Sequence, residues 1–365
     1  MPVRTHEPEM AAEVAARTAG LRTGWTTGTC ASAAAKAAAV GLVVGAPPDH
    51  VEVGLPAGRR VTFPVDAEAP DRCVVVKDAG DDPDCTHGAR LTAEVTWRQG
   101  PGGTRLLAGL GVGTVTRPGL GLPVGAPAIN PVPRRMVLAA LAEVTDRHLE
   151  VIFSVPGGEA MAEKTSNARL GIVGGVSILG TSGVVRPFST AAYRASVTQQ
   201  IDVAAAQGER TVVLATGSRS DAAAQRLHPG LDQVCFVEVG DFTGVALRHA
   251  ARRGFVQAPF VGMVGKIAKL AAGVMMTHFH RSKVEVALLA DVALATGAPP
   301  SVVEAATATA TARHFFEVCA QHGCTAPLGR LCELARAACE AHVQGALEVP
   351  VTMVDFDGGR VVARA

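Results

Sequence analysis

The residues best equipped to do chemistry crowd into one short stretch, 77–89 (KDAGDDPDCTHGA). Asp78, Asp81, Asp82 and Asp84 fall within seven residues there, with His87 close behind. So many carboxylates in one loop repel one another unless they hold a cation, accept backbone N–H groups or do proton work. The spacing is not that of an EF-hand, which wants acids at alternate positions ahead of its glycine. Turn-forming aspartates beside Gly and Pro are the plainer reading, and it stays open. A second candidate is His278 and His280 flanking Phe279 in THFHRSKVE. In an extended segment both imidazoles face one side, as a metal pair with Glu285 nearby or as polar lining of a pocket. The third set is basic: Arg22, Arg117, Arg134, Arg135, Lys164, Arg169 and Arg186 sit beside Gly and Pro in charge-poor segments such as VTRPGLG, NPVPRR and EKTSNARLG. A guanidinium offers a planar fork matched to carboxylate or phosphate, so such a set suits a small polyanion.

The elements that must position these groups fall into two halves. At ~150 residues per domain, 365 residues predict two or three domains. Residues 1–20 read as a polar arm. A helix is predicted over 26–44, with Thr27 or Thr29 as N-cap ahead of strong helix formers. Short β-branched runs bounded by Gly or Pro follow at 51–55, 60–65, 73–77, 90–98 and 104–108. Then come a helix over 131–148, a strand over 151–155, Gly-rich turns over 171–183 and a helix over 190–207. Beyond 208 the pattern changes. The continuous apolar run 211–215 (TVVLA) has the character of a strand buried on both faces of a parallel sheet. It leads through Thr216, Gly217 and Ser218 into a helix at Asp221. A second strand, 233–239, passes Gly240 and Asp241 into a helix over 243–252. A third, 255–261, passes 262–266 into another helix. The expected fold is thus an α+β N-terminal domain, 21–195, followed by an α/β Rossmann-like doubly wound domain, 196–365, with a helical C-terminal segment. Ligands of such sheets bind at the carboxyl ends of the strands.

None of the three strand-to-helix turns carries the G-x-G-x-x-G fingerprint, and 262–266 (GMVGK) lacks the spacing and trailing Ser/Thr of a P-loop. That counts against a nicotinamide-dependent reductase and against ATP. S-adenosylmethionine, which has no phosphates, needs no such loop: a small-residue turn and an acid for the ribose hydroxyls suffice. Asp241 could be that acid, or it could simply cap its helix. Composition narrows the rest. Lys+Arg 34 against Asp+Glu 33 leaves a net charge of +1, and aromatics make up 4%, which argues against nucleic acid as a partner. Mean hydropathy is +0.25, but no apolar run reaches the ~20 uninterrupted residues of a spanning helix, and the N-terminus has no signal-peptide pattern. Eight Cys without a C-x-x-C pair, four of them (Cys319, Cys324, Cys332, Cys339) in a segment predicted to be helical, fit a reduced cytoplasmic protein.

Five long motifs together carry a resemblance. RTGWTTGTCASAAAKAA (22–38), VVVKDAGDDPDCTHGA (74–89), GVGTVTRPGLGLPVGAPAINPVPRRM (111–136), SVPGGEAMAEKTSNARLGIVGGVSILGTSGVVRP (154–187) and GKIAKLAAGVMMTH (265–278) resemble, in order, the cobalt-precorrin-5B C(1)-methyltransferase family of cobalamin biosynthesis. The resemblance implies methyl transfer from S-adenosylmethionine to C-1 of a corrinoid, giving cobalt-precorrin-6A. Cobalt would be carried by the substrate, with no metal held by the protein. It implies corrinoid contacts at Thr26, Thr27, Thr29, Lys77, Arg117, Asn130, Arg134, Lys164 and Arg169, and cofactor contacts at Thr216, Gly217, Ser218, Asp241, Gly265, Lys266 and His278. Asp78, Asp81 and His87 become the acid-base candidates. The family's Gly-Asn-x-Gly and Gly-His-x-Gly-Lys turns read Thr216–Arg219 and Gly262–Lys266 here. A non-catalytic corrinoid carrier and a methyltransferase of another tetrapyrrole branch therefore stay open, as does a homodimer.

Overall fold

The computed structural model describes residues 20–277, 286–308 and 311–365. The described chain forms two compact units, divided between Thr190 and Ala191.

The first unit contains β1 (Gly24–Trp25), α1 (Thr27–Val44), β2 (His50–Gly54), β3 (Arg60–Pro64), β4 (Asp66–Ala69), β5 (Arg72–Val76), β6 (Arg90–Trp97), β7 (Arg105–Ala108), β8 (Gly111–Val112) and β9 (Thr114–Val115). It continues through α2 (Pro131–Ala142), β10 (Leu149–Ser154), α3 (Gly158–Ala162), β11 (Ile172–Val173), β12 (Gly175–Val176) and β13 (Val184–Val185). Its main sheet has the order β4-β5-β6-β10-β7, antiparallel except for the β10–β7 pair. Alternate residues of β10, Leu149, Val151 and Phe153, are buried, so one face of the strand builds the core. Helix α1 is made almost wholly of Ala, Gly, Thr, Ser and Val, and thirteen of its eighteen residues are buried. With side chains this small it approaches β5, β6 and α2 closely, and a helix apolar all round is one that a core encloses. By length and composition alone it could cross a membrane, yet most of it is packed inside the unit. Its N-cap is Thr26, whose hydroxyl accepts the Thr29 N–H at 3.2 Å, one residue earlier than the sequence suggests. Thr27 and Thr29 bond instead to the segment 177–183. Helix α2 stops at Ala142, short of the expected 148. Val144 and Thr145, both poor helix formers, fold back onto the Leu141 carbonyl.

The second unit contains α4 (Thr190–Ala206), β14 (Val213–Ala215), α5 (Ser218–Leu227), β15 (Phe236–Glu238), α6 (Thr243–Arg252), β16 (Phe260–Gly262), α7 (Val264–Ala271), α8 (Val286–Ala295), α9 (Pro300–Ala308), α10 (Ala312–Gln321), α11 (Ala326–His342), β17 (Val351–Val354) and β18 (Val361–Arg364). Its sheet runs β15-β14-β16-β17-β18, parallel except at β18. The strands are shorter than their apolar runs. Residues 233–235 form a 3-10 turn because the Asp232 carboxylate accepts the Val234 N–H at 3.0 Å, drawing the backbone out of the ladder. Residues 255–259 end in Pro259, which has no N–H to give. Strands β17 and β18 lie in the segment expected to be helical. Cys319, Cys332 and Cys339 are buried in α10 and α11, whereas Cys324 lies between those helices. Burial pushes the three helical thiols up to about 12, so they serve as apolar filling.

Candidate functional site

Each unit brings one set of the predicted residues together. In the first, the acidic loop joins β5 to β6 and is tied down by its own carboxylates. Lys77, 1% exposed, gives its ammonium to Asp84 at 2.6 Å. Asp84 also accepts the backbone N–H and hydroxyl of Thr86, at 2.8 and 2.6 Å. Burial works to raise the Asp84 carboxyl, but the bonds from Lys77 and Thr86 prevail and hold it below its ordinary range. Asp78 forms an ion pair with Arg22 and accepts the Gly80 N–H at 2.9 Å. The Arg22 bond, then the Gly80 bond, hold Asp78 low as well. Asp81 accepts the Arg22 backbone N–H at 2.6 Å, and Asp82 accepts that of Phe188 at 2.9 Å. Gly80 sits at φ +68, and a Cβ there would come within 2.2 Å of the Arg22 carbonyl, so only glycine lets the two strands of chain meet. His87 is exposed, and its Nδ1 accepts the Ala79 N–H at 3.2 Å, which places the neutral ring's proton on Nε2.

The threonines at the start of α1 act as fasteners. Thr27 Oγ1 donates to the Ser177 carbonyl at 3.0 Å and accepts the Leu179 N–H at 2.9 Å; Thr29 Oγ1 donates to Gly183 at 2.7 Å. All three threonines, Thr26 included, are buried. Lys77 is equally committed, to Asp84. The remaining basic candidates are placed differently. Arg134 and Lys164 are exposed, and Arg117 and Arg169 half-buried. Arg134 stands at an apolar cavity of ≈ 370 Å³ lined by Gly121, Leu122, Pro123, Pro127, Ile129 and Pro131 among others. Arg117 lies across Gly171, where a Cβ would meet its side chain at 2.6 Å. Asn130 precedes α2 without capping it through its side chain, and Ile178 holds its N–H at 2.9 Å.

In the second unit the predicted residues gather at the carboxyl ends of the parallel strands. The chain runs from β14 outward to β15, then returns to β16 on the far side of β14. The strand order therefore reverses between β14 and β16, the place where such sheets leave a crevice. Thr216, Gly217 and Ser218 leave β14 there, and Gly265 and Lys266 open α7 just after β16. Ser220 closes the first turn: its hydroxyl donates to the Gly217 carbonyl at 2.8 Å and accepts the N–H groups of Thr216 and Gly217 at 3.0 and 3.1 Å. Asp241, after β15, does not cap α6 but pairs with Lys266. Segment 275–277 is laced to the same loop through the Thr277 N–H on the Asp241 carbonyl at 3.1 Å and the Gly244 N–H on Met275 at 3.0 Å. Lys266 and Lys269 both donate to the Thr277 carbonyl at 3.2 Å. Burial, then the neighbouring Lys266, pull the Lys269 amine below its ordinary value. The hydroxyls of Thr243 and Thr277, each 0% exposed, have no hydrogen-bond partner among the described residues. Such orphans are costly unless something fills them.

Sequence reasoning passed over Ser220, Lys269, Thr243, Thr277 and Tyr193. The Tyr193 ring stacks on Phe242 with centroids 5.8 Å apart, its hydroxyl donates to the Glu238 carbonyl at 3.2 Å, and it covers Gly240. Its signal was its rarity, since it is the chain's one tyrosine. His278, His280 and Glu285 lie outside the described residues. Among the described residues no cluster of three or more His, Cys, Asp or Glu could hold a metal ion.

The family model CbiD matches residues 14–187, and that of the CbiD C-terminal domain matches 276–365. The loops after β14, β15 and β16 fall between the two. The cobalt-precorrin-5B C(1)-methyltransferase of Salinispora arenicola is 57% identical over 334 residues, covering 88% of this chain and 87% of that one. The Rubrobacter xylanophilus protein of the same name is 56% identical over 326 residues, covering 87% and 84%. That of Thermus thermophilus is 47% identical over 325 residues, covering 88% of each chain. A crystal structure of the cobalamin biosynthesis protein cbiD from Archaeoglobus fulgidus is 23% identical, with a TM-score of 0.40 over 88% of this chain and 94% of that one.

Proposed function

The chain belongs to the CbiD family, and from that premise we propose that it methylates C-1 of cobalt-precorrin-5B with S-adenosylmethionine, giving cobalt-precorrin-6A on the route to cobalamin. The reading is carried by near-full-length likeness to proteins named for that reaction. In it, the unit 191–365 is the Rossmann-like cofactor half and the unit 20–190 the corrinoid half.

The residues at the strand ends fit the methyl donor. S-adenosylmethionine, when bound, supplies a methyl group already activated on a sulfonium sulfur, so the protein's work is alignment and desolvation. Lys266 and Lys269 offer ammonium groups for a carboxylate. Asp241, drawn toward Lys266, offers a carboxylate for ribose hydroxyls. Thr243 and Thr277 offer buried hydroxyls without partners among the described residues. The Ser220-closed turn at Thr216, Gly217 and Ser218 lets a ligand approach backbone closely, while Tyr193 walls off Gly240.

In the corrinoid half, Arg117, Arg134, Lys164 and Arg169 suit the acetate and propionate arms of the substrate, since a guanidinium binds carboxylate through two parallel bonds. Thr26, Thr27, Thr29 and Lys77 contribute by holding shape, because their polar atoms are already spent. Of the three acid-base candidates, Asp78 is committed to Arg22 and Gly80. His87 presents an Nε2 proton and so suits donation. Asp81, exposed and accepting one backbone N–H, is best placed to take a proton as the macrocycle shifts its double bonds.

The test is a single turnover with methyl-labelled S-adenosylmethionine and cobalt-precorrin-5B, read by mass spectrometry. One labelled methyl in the corrinoid and one S-adenosylhomocysteine released are expected, with carbon NMR placing the methyl at C-1. Tight corrinoid binding with no label transferred would overturn the reading in favour of a carrier.

A further inference from the structure

Phe188 is an outlier in two independent respects. Of the ten phenylalanines among the described residues, eight are buried and Phe356 is half-buried; Phe188 alone is exposed, at 60%. It is also one of two described non-glycine residues with positive φ, at +55°, the other being Gln344. A left-handed backbone is strained for a bulky L residue, and strain of this kind persists only where the surroundings impose it. Here the surroundings are identifiable. Phe188 follows the buried Pro187, and its N–H is taken by the Asp82 carboxylate at 2.9 Å, from a loop 106 residues earlier. That loop is the one that carries Asp78, Asp81 and His87. Strand β13, which ends three residues before Phe188, pairs with β1, whose Trp25 N–H donates to the Asp78 carbonyl at 2.7 Å. The ring is therefore fastened to the rim of the acidic loop and turned out to solvent. The ring contributes little burial at 60% exposure, and glycine would adopt the same backbone without strain.

We propose that Phe188 is a stacking platform for the flat, conjugated face of the corrinoid, held in place by Asp82. The assignment rests on the function proposed above and adds to it a binding residue beyond the basic clamps. An exposed phenyl offers a planar apolar face to the pyrrole-derived rings of the macrocycle, which lie between its central cobalt and its peripheral carboxylates. The basic side chains then engage the rim while Phe188 engages the face.

The experiment titrates wild type and the variants Phe188→Gly, Phe188→Leu and Phe188→Trp with cobyrinic acid, a cobalt corrinoid with free carboxylates, by calorimetry. Thermal melting of each unliganded variant runs alongside. Stacking is sequence-tolerant but needs an aromatic face, so Phe188→Gly and Phe188→Leu are each expected to weaken binding about 10-fold, with Phe188→Trp within about 2-fold of wild type. Phe188→Gly is expected to melt no lower than wild type, and higher if relief of strain dominates, so that affinity and stability move in opposite directions. A merely structural role would lower both. Wild-type affinity in Phe188→Gly and Phe188→Leu overturns the assignment and leaves the proposed function untouched. Failure of the wild-type protein to bind either cobyrinic acid or cobalt-precorrin-5B overturns the function, and this assignment with it.

Discussion

The acidic loop of the first unit and the strand-end loops of the second hold similar polar groups in opposite states of completion. Around Lys77 each charge has found its partner within the unit: Lys77 with Asp84, Asp78 with Arg22, Asp82 with a backbone N–H. At the ends of β14, β15 and β16, Lys266 is paired with Asp241, but two buried hydroxyls have no partner among the described residues. A network satisfied internally stiffens a surface before any ligand arrives. A site short of partners is one whose hydrogen bonds a ligand can complete, at a cost in unliganded stability. The first unit thus resembles a rigid mould and the second a socket.

The sharpest way to break this contrast is Asp84→Asn. It leaves the Lys77 ammonium buried beside a neutral amide, and removing one partner of a buried pair costs about 3–5 kcal/mol. Urea unfolding should show a loss of that order; a loss under about 1 kcal/mol would mean that the loop is not braced by this pair. A matched pair comes next. Thr27→Val removes a hydroxyl that both donates and accepts, and should destabilise by about 1–3 kcal/mol. Thr277→Val removes an orphan of the same shape, and should raise stability by about 1 kcal/mol while weakening the proposed S-adenosylmethionine binding about 10-fold. Differential scanning calorimetry and calorimetric titration read both, and equal signs for the two variants would erase the distinction. Gly240→Ala forces a Cβ to within 2.9 Å of the Tyr193 ring at a backbone φ of +54, for about 1–2 kcal/mol and a displaced tyrosine. Tyrosine fluorescence would detect the displacement, and an unchanged spectrum would show that Tyr193 does not cover the loop.

The smallest effect is on acid sensitivity. Glu143 is held down at about 2 by Arg60 and Lys36, and Asp78 and Asp84 are also lowered; all three lie in the first unit. A carboxyl whose folded value lies below its unfolded one contributes stability that is complete above about pH 5 and is lost as pH falls through the folded value. Stability should hold from pH 7 to about 5 and then decline, with amide exchange rising first in 20–190. The effect is modest because Glu143 and Asp78 are largely solvated. Earlier exchange in 191–365 would reverse the assignment.

Much of the architecture was legible in local pattern. Helix α6 begins and ends where its sequence predicts, and α1 was plain from its alanine run. The small residues after each apolar run marked the strand ends to within one residue. Other features were invisible for a common reason: they depend on atoms distant in the chain. Strands β17 and β18 are short and ambiguous until β16 offers β17 a ladder and β17 in turn pairs with β18. The N-cap at Thr26, rather than Thr27 or Thr29, is decided by the segment 177–183, which claims the later hydroxyls. Nothing local separates Lys77, which is buried and spent, from Arg134, which is exposed beside a cavity.

The sequence by itself determined the family, the residue types at each loop and the division into a β-rich half and a strand-loop-helix half. Those follow from periodicity, turn chemistry and long contiguous motifs, all local properties of the chain. Only the tertiary structure decided which of the crowded charges are neutralised and which stay available, which hydroxyls are orphaned, and that the order of strands reverses between β14 and β16. Each of these is set by what lies across a few ångströms of space, where burial and partners govern the free energy of a polar group and distance along the chain does not.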